Sequence, residues 1–393
     1  MKILHIVPSY WPAYRHGGPV KSVHFLNKWL VKLGVDVTVY TTNINGRGLL
    51  DVPLSKPVTV DGVRVFYFPL SFRPWKYSIE LDRELSKTAG DFDLIHITSV
   101  FLSASIRGSH YARKFNKPYV ISPRGSLMRE PMQRKSAFLK RLYVSLVEKK
   151  NLALASAVHF TSALEEKEYR EAGLHAKKSF VIPNSFDEEE FLMEKNVARG
   201  EFRKKFGIGE NAPLALFLGR LNWKKGFDTL IPAFSAVLKE IPDAVLLIAG
   251  GDDENYRKEI ERMIDANGIR GKVIFAGEVL GGDKVSALTD ADCFVLPSYS
   301  ENFGMAVVEA LYFSLPVVLT REVAVSDEVL KEKAGLVIDK NEQELAGAMV
   351  KLLMDKKSAA QMGRRGREMV LERFSPLKVA EKFRETYKSL ING

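Results

Sequence analysis

The sequence predicts an α/β protein of two domains, each a parallel β-sheet covered by helices on both faces. Three observations predict it. Continuous apolar runs of strand length alternate with helical patterns from end to end, the pattern of strands buried on both faces. The rhythm runs twice, with a break at "VIPNSFDEEEF", where Pro183, Asn184 and Ser185 form a turn and a polar stretch follows. The length, 393 residues, also favours two domains over one.

The strands of the first half are "KILHIV", "VDVTVYTT", "VRVFYF", "DLIHIT", "PYVIS", "AVHFT" and "SFVI". Helical spacing separates several of them, over Val20–Leu33 and Ser136–Ala155. In the second half "LALFLG", "AVLLIAG", "KVIFAG", "CFVLP", "PVVLT" and "GLVID" read as strands. Helices are predicted near Gly226–Lys239, Glu254–Asn267, Asp283–Thr289, Gly304–Phe313 and Gln343–Met354. The last segment, "SPLKVAEKFRETYKSLI", is an amphipathic helix with a Ser-Pro start. Parallel sheets of this kind bind ligands at the carboxyl ends of their strands.

Composition excludes several classes. Hydrophobic content of 46% and charged content of 27% are those of an ordinary globular protein. No apolar run is long enough to span a bilayer, and the start lacks the pattern of a signal peptide, so the cytoplasm is the expected compartment. The single cysteine, Cys293, rules out an internal disulfide and a cysteine zinc site, and its run "DCFVLP" makes it a core residue. The net charge is +10 and uneven: from Arg107 to Lys150 the only acidic residues are Glu130 and Glu148. Such a basic face suits phosphorylated ligands, an anionic membrane surface or nucleic acid.

Two loops carry the chemistry. In "LGRLNWKKGFDTLI" Arg220 and Lys225 fall in a strand-to-helix loop and Gly226 opens the helix. Two cations and free helix N–H groups at one mouth suit a diphosphate, the alternative being a solvated turn. "PSYSENFGMAVVEAL" supplies a second mouth. Phe303, Gly304 and Met305 stand at a helix start, and Glu309 lies more than a turn in, inside an apolar run. Helical side chains tilt toward the N-terminus, so its carboxylate can reach a ligand there and accept hydrogen bonds from vicinal hydroxyls. The alternative is a Glu309 paired to a buried Lys or Arg. Glu301, in the preceding loop, addresses a second hydroxyl-rich group. "DFD" at Asp91–Asp93 precedes a strand and reads as a surface turn; "GDDEN" reads as a helix start. His96 is a strand-end residue near the cleft or a core residue. No Walker A pattern, G-x-S-x-G or histidine metal cluster is present.

These residues resemble a known family. "PSYSENFGMAVVEAL" is similar to the E-x7-E signature of retaining glycosyltransferases of the GT-B fold, family 4. "GRLNWKKG" is similar to the family's G-R-x4-K-G diphosphate clamp, "HGGPVKSV" to its N-terminal Gly-Gly loop, and "VIPNSFD" to the segment joining its domains. The resemblance covers essentially the whole chain. It implies two Rossmann-like domains facing a central cleft: an acceptor-binding domain over 1–185, with the 376–393 helix packing back on it, and a nucleotide-sugar domain over 186–375.

The resemblance also assigns roles. Glu309 would bind the donor ribose and Glu301, counted with Arg220 and Lys225 as catalytic, the transferred sugar. Arg220 and Lys225 would neutralise the leaving diphosphate, beside Gly219. Backbone amides of Asn302, Phe303, Gly304 and Met305 would hold sugar and phosphates. Gly17 and Gly18 would approach the diphosphate from the other domain, and Glu278 and Val279 would meet the base. Arg124, in "SPRGSL", stands where many members have a histidine, and as a cation it could face diphosphate or acceptor but not shuttle the same proton. Asn302, Ser185 and Ser314 replace usual glycines.

The expected activity is transfer from a nucleotide sugar, UDP ahead of GDP, to a glycan or lipid-linked acceptor in polysaccharide or lipid-linked glycan assembly. Neither metal nor cofactor is expected, since charge stabilisation on the leaving diphosphate is the main requirement. Rival readings are a GT-B sugar-nucleotide epimerase, a phosphorylase, or a non-catalytic basic binder; nucleic acid is not the expected partner. Within "MREPMQRKSAFLKRLYVSLVEKKNLALA", Phe138, Leu142 and Leu146 recur at helical spacing. Arg134, Lys135, Lys140, Arg141, Lys149 and Lys150 flank them. This face could lie on anionic headgroups at the inner side of the cell membrane, or pack on the sheet with a solvated basic edge.

Overall fold

The computed structural model describes residues 1–13, 18–133, 136–186, 188–193, 199–252 and 255–393. The chain divides into two compact units, Met1–Ser185 together with Pro376–Gly393, and Phe186–Ser375.

Unit 1 runs β1 (Lys2–Ile6), α1 (Gly18–Lys32), β2 (Asp36–Thr42), the short pair β3 (Ile44–Asn45) and β4 (Gly48–Leu49), β5 (Pro57–Val60), β6 (Val63–Phe68) and α2 (Ile79–Thr88). It continues through β7 (Leu94–Thr98), α3 (Ser103–Lys114), β8 (Tyr119–Ser122), α4 (Arg129–Gln133), α5 (Ala137–Tyr143), α6 (Lys149–Leu154), β9 (Ala157–Phe160), α7 (Ala163–Glu171) and β10 (Ser179–Val181). The sheet order is β10-β9-β8-β7-β1-β2-β6-β5. The strands from β10 to β6 pair in parallel, and β7, β8 and β9 are buried along their whole length, which is why they read as unbroken apolar runs. β5 pairs antiparallel to β6 at the edge, alternating exposed and half-buried residues from a proline start.

The helix expected over 136–155 is three pieces: α5, a π-helical turn at Val144–Glu148, and α6. Glu148 explains the irregularity. Its buried carboxylate accepts from the Phe101 N–H at 2.8 Å and the Ser105 hydroxyl at 2.7 Å, and burial pushes its pKa up. Phe101 itself has φ +65, a strained backbone for a bulky residue.

His96, for which strand-end and core placements stood open, is core. Its ring stacks on His5 at 4.2 Å, and its nitrogens meet the Ser122 and Tyr387 hydroxyls at 2.6 Å each. His159 joins through Ser122 at 2.7 Å and donates to the Ile182 carbonyl at 2.8 Å. Tyr387 belongs to the terminal helix (Pro376–Asn392), which packs on α1 within unit 1 and buries Val379, Phe383 and Leu390.

Unit 2 runs α8 (Glu188–Met193), α9 (Glu201–Lys205), β11 (Leu214–Leu218), α10 (Phe227–Glu240), β12 (Val245–Ala249), α11 (Arg257–Ala266), β13 (Val273–Gly277) and α12 (Gly281–Asp290). Then come β14 (Cys293–Leu296), α13 (Met305–Tyr312), β15 (Val317–Thr320), α14 (Ser326–Lys331), β16 (Gly335–Ile338), α15 (Glu342–Met354) and α16 (Lys356–Arg373), and the terminal helix of unit 1 follows as α17. Its six strands are all parallel, in the order β13-β12-β11-β14-β15-β16. Successive strands spread one way from β11 and the other way from β14. The order therefore reverses between these two neighbours, and a crevice opens where their carboxyl ends diverge. Cys293 begins β14 and is fully buried, as its apolar run indicated.

Candidate active site

The two loops with the chemistry leave β11 and β14 side by side, at that reversal. After Leu218 come half-buried Gly219 and exposed Arg220. Asn222 then caps a short turn, its side chain accepting from the Lys224 N–H at 3.0 Å. Gly226 opens α10 with φ +71, and a Cβ there would lie 2.0 Å from the Pro297 carbonyl oxygen, so only glycine lets the first loop approach the second this closely. The Tyr299 N–H donates to the Lys224 carbonyl at 2.8 Å and its hydroxyl to Asp228 at 2.6 Å, which ties the loops together.

Glu301 is fixed through its backbone. Its N–H donates to the Glu322 carbonyl and its carbonyl accepts from the Ala324 N–H, both at 3.0 Å. Its carboxylate is ion-paired with the Lys225 ammonium, the two side chains being 24% and 16% exposed. The motif lysine and the motif glutamate, seven and five residues past their strands, thus meet. Gly304 caps α13 with φ +88, and Met305 begins the helix. Phe303 turns its ring into the core against Phe374 at 5.4 Å, so any ligand contact from it must be through backbone. Asn302 is half-buried in the same loop.

Glu309 lies on the second turn of α13. Its Oε1 accepts from the Lys284 ammonium at 3.1 Å, and its side chain is 16% exposed against 6% for Lys284. The carboxylate is therefore neither alone nor sealed off. The pairing with a buried cation, the alternative weighed for it, is present in the structure, and it leaves the side chain partly exposed. Lys284 escaped the sequence reading. The signal was a lysine in the first turn of a helix, where the dipole disfavours a cation. Glu278 is exposed in the loop before α12, and the Val279 side chain is core.

In unit 1, Gly18 is exposed at the first position of α1, while His16 and Gly17 lie outside the described residues. Arg124 follows β8 with φ +55 and donates through Nη1 to Asn184; burial lowers its pKa to about 10. The Asp93 carboxylate accepts from the Lys2 N–H at 2.7 Å in a surface turn, and Asp252 caps α11 by accepting from the Tyr256 N–H at 2.7 Å; Asp253 and Glu254 lie outside the described residues. Among the described residues no three His, Cys, Asp or Glu side chains gather as metal ligands.

Two family models match the chain: "Glycosyl transferases group 1" over residues 198–369 and "Glycosyl transferase 4-like domain" over residues 17–185. The chain belongs to the GT-B glycosyltransferases of this group, family 4. Among characterised relatives, a GDP-mannose-dependent alpha-(1-6)-phosphatidylinositol monomannoside mannosyltransferase of Mycobacterium tuberculosis is 29% identical over 54% of this chain and 56% of its own, so the match spans little more than half of that relative. Mannosylfructose-phosphate synthase of Agrobacterium fabrum is 26% identical over 77% of this chain and 71% of its own. Among solved structures, Anabaena HepE in complex with UDP and glucose superposes with a TM-score of 0.77 at 22% identity, covering 99% of this chain and 100% of that one, a likeness of fold.

Proposed function

We propose that the protein transfers a sugar from a nucleotide-diphosphate sugar to an acceptor hydroxyl, with retention of anomeric configuration and without a metal ion, in the assembly of a polysaccharide or lipid-linked glycan. The observation that carries the reading is the Lys225–Glu301 pair at the crevice between β11 and β14, with exposed Arg220 beside it. Before donor binds, Glu301 holds the ammonium near where a diphosphate would sit at the amino ends of α10 and α13. A donor brings two exchanges. Its diphosphate takes Lys225 and Arg220, and the released Glu301 accepts from hydroxyls of the sugar. Cations pre-placed where leaving-group charge develops supply the electrostatic stabilisation, with helix N–H groups adding to it. Glu309 would accept the ribose hydroxyls, and the loop at Glu278 and Val279 would meet the base.

A donor phosphate oxygen would take the acceptor proton, so no side-chain nucleophile is demanded. The relatives support a sugar donor of the nucleotide class: the mycobacterial enzyme is GDP-mannose-dependent by name, and HepE was crystallised with UDP and glucose. UDP-sugars stay first in the expectation drawn from this chain, so the base is the first thing to measure. Unit 1 would receive the acceptor, and the basic helical segment there would meet anionic lipid.

The test is a thermal-shift screen against UDP-, GDP- and ADP-sugars, followed by transfer from the stabilising donor in EDTA with the product anomer read by NMR. A ligand that binds only the folded state raises the melting temperature. Inversion at the anomeric carbon, or activity abolished by EDTA and restored by magnesium or manganese, would overturn the mechanism; no donor binding at all would overturn the function.

A further inference from the structure

Lys284 is buried to 5% exposure in the first turn of α12, immediately after the Glu278–Leu280 loop. Its ammonium is 3.1 Å from Glu309 Oε1 and 4.8 Å from the centre of the Phe191 ring. Helix dipole and desolvation both oppose a lysine here. Residues that break a local rule in this way are expected at functional or strained sites. A buried ammonium is costly unless an anion meets it, and Glu309 is an anion that does so. The pair uses one carboxylate oxygen and leaves Glu309 16% exposed.

We propose that Lys284 is a positioning residue for the donor ribose: it fixes the Glu309 carboxylate so that the vicinal hydroxyls meet an acceptor already oriented. This rests on the reading that Glu309 takes the ribose. A free glutamate side chain must surrender rotamer freedom when ligand arrives. Pinned to Lys284, whose ammonium lies over the Phe191 ring, this one has surrendered much of it during folding. The contact also joins α12, which follows the base loop, to α13, which carries the ribose carboxylate. Base and ribose recognition are thereby held in one register.

The experiment is calorimetric titration of UDP, GDP and ADP, and of their 2′,3′-dideoxy counterparts, into wild type, Lys284→Met, Lys284→Arg and Glu309→Gln. Wild type should bind at least one ribonucleotide diphosphate about tenfold or more tighter than its dideoxy form. Lys284→Met should cut that discrimination to within about twofold and leave the dideoxy affinity unchanged. Lys284→Arg, which keeps the charge, should restore most of it. Should Lys284→Met prove unstable, Lys284→Gln replaces it and is read the same way.

Equal weakening of both ligand forms by Lys284→Met would overturn the proposal, because Lys284 would then contact base or phosphate, or merely support the fold. An unchanged discrimination would overturn it too. Glu309→Gln separates the two ideas. If Glu309→Gln abolishes discrimination and Lys284→Met does not, only the role of Lys284 falls. If Glu309→Gln keeps full discrimination, the ribose assignment falls and takes the proposal with it, as would failure of all three diphosphates to bind wild type.

Discussion

Arg220 and Lys225 differ in what they do before ligand arrives. Arg220 is exposed, while Lys225 is committed to Glu301. Removing either cation should lower turnover by about 10²–10³ with the fold retained, the range for losing one pre-organised donor at a developing anion. Circular dichroism with steady-state kinetics at saturating donor checks this, and near-normal rates in both Arg220→Ala and Lys225→Ala would place the chemistry elsewhere. Glu301→Gln should behave differently. It frees Lys225 from its partner, so nucleoside diphosphate affinity should hold or rise while transfer falls. Gly226→Ala is a third case. The new Cβ would collide with the Pro297 carbonyl at a backbone angle that side chains rarely adopt, and stability should fall by about 2 kcal/mol or more in denaturant titration.

At the scale of elements, the segment from Ala137 to Leu154 departs from an ordinary packed helix. Phe138, Leu139, Leu142 and Leu146 are 76%, 62%, 45% and 70% exposed, and Arg141, Lys149 and Lys150 are exposed with them. The apolar face is thus turned out to solvent, and the packed-helix alternative does not describe these four residues. Arg134 and Lys135 lie outside the described residues. Co-sedimentation should show binding to vesicles rich in anionic lipid, weakened by salt and by Phe138→Ser with Leu146→Ser; binding indifferent to lipid charge and to salt would reject the electrostatic reading. Elements of this kind mark where the sequence was legible. β6, β7 and β11 came out within a residue because buried parallel strands are continuous apolar runs. α16 went unread because "KKSAAQMGRRGREMVLER" is charged and contains two glycines that look like breakers. Gly363 is there for close approach, since a Cβ would lie 1.8 Å from the Ser314 carbonyl oxygen. The π-turn at Val144–Glu148 was unreadable for another reason, as it goes with a loop more than forty residues earlier whose N–H donates to the Glu148 carboxylate. In the site, the motif residues were visible and Lys284 was not, because the contact that gives it meaning spans 25 residues.

For the molecule as a whole, the histidines of unit 1 set an acid limit. Burial holds His5 down to about 3, and holds His96 and His159 well below the ordinary 6.5, with the nearby Arg124 charge acting in the same direction. The folded state therefore keeps them neutral while the unfolded chain protonates them near 6.5. Their contribution is complete above that value and is lost as pH falls from about 6.5 toward 3. Each proton bound by the unfolded chain alone costs roughly 1.4 kcal/mol per pH unit in that window. Glu148 and Glu165 act with the opposite sign. Burial raises both, so their contribution is complete below the ordinary 4.5 and is lost as pH rises through their raised folded values. In the part of the window where all five titrate differently, three protons favour the unfolded chain and two the folded one, so the histidine slope prevails. Hydrogen exchange, corrected for its intrinsic pH dependence, should show β1, β7 and β9 losing protection between pH 7 and 5.5. His159→Gln removes one of the three groups and should flatten that loss, measured against its own protection at pH 7. Protection that stays constant over this range in wild type would mean the histidines bind protons without unfolding, and the buried network would then have to open locally to admit them.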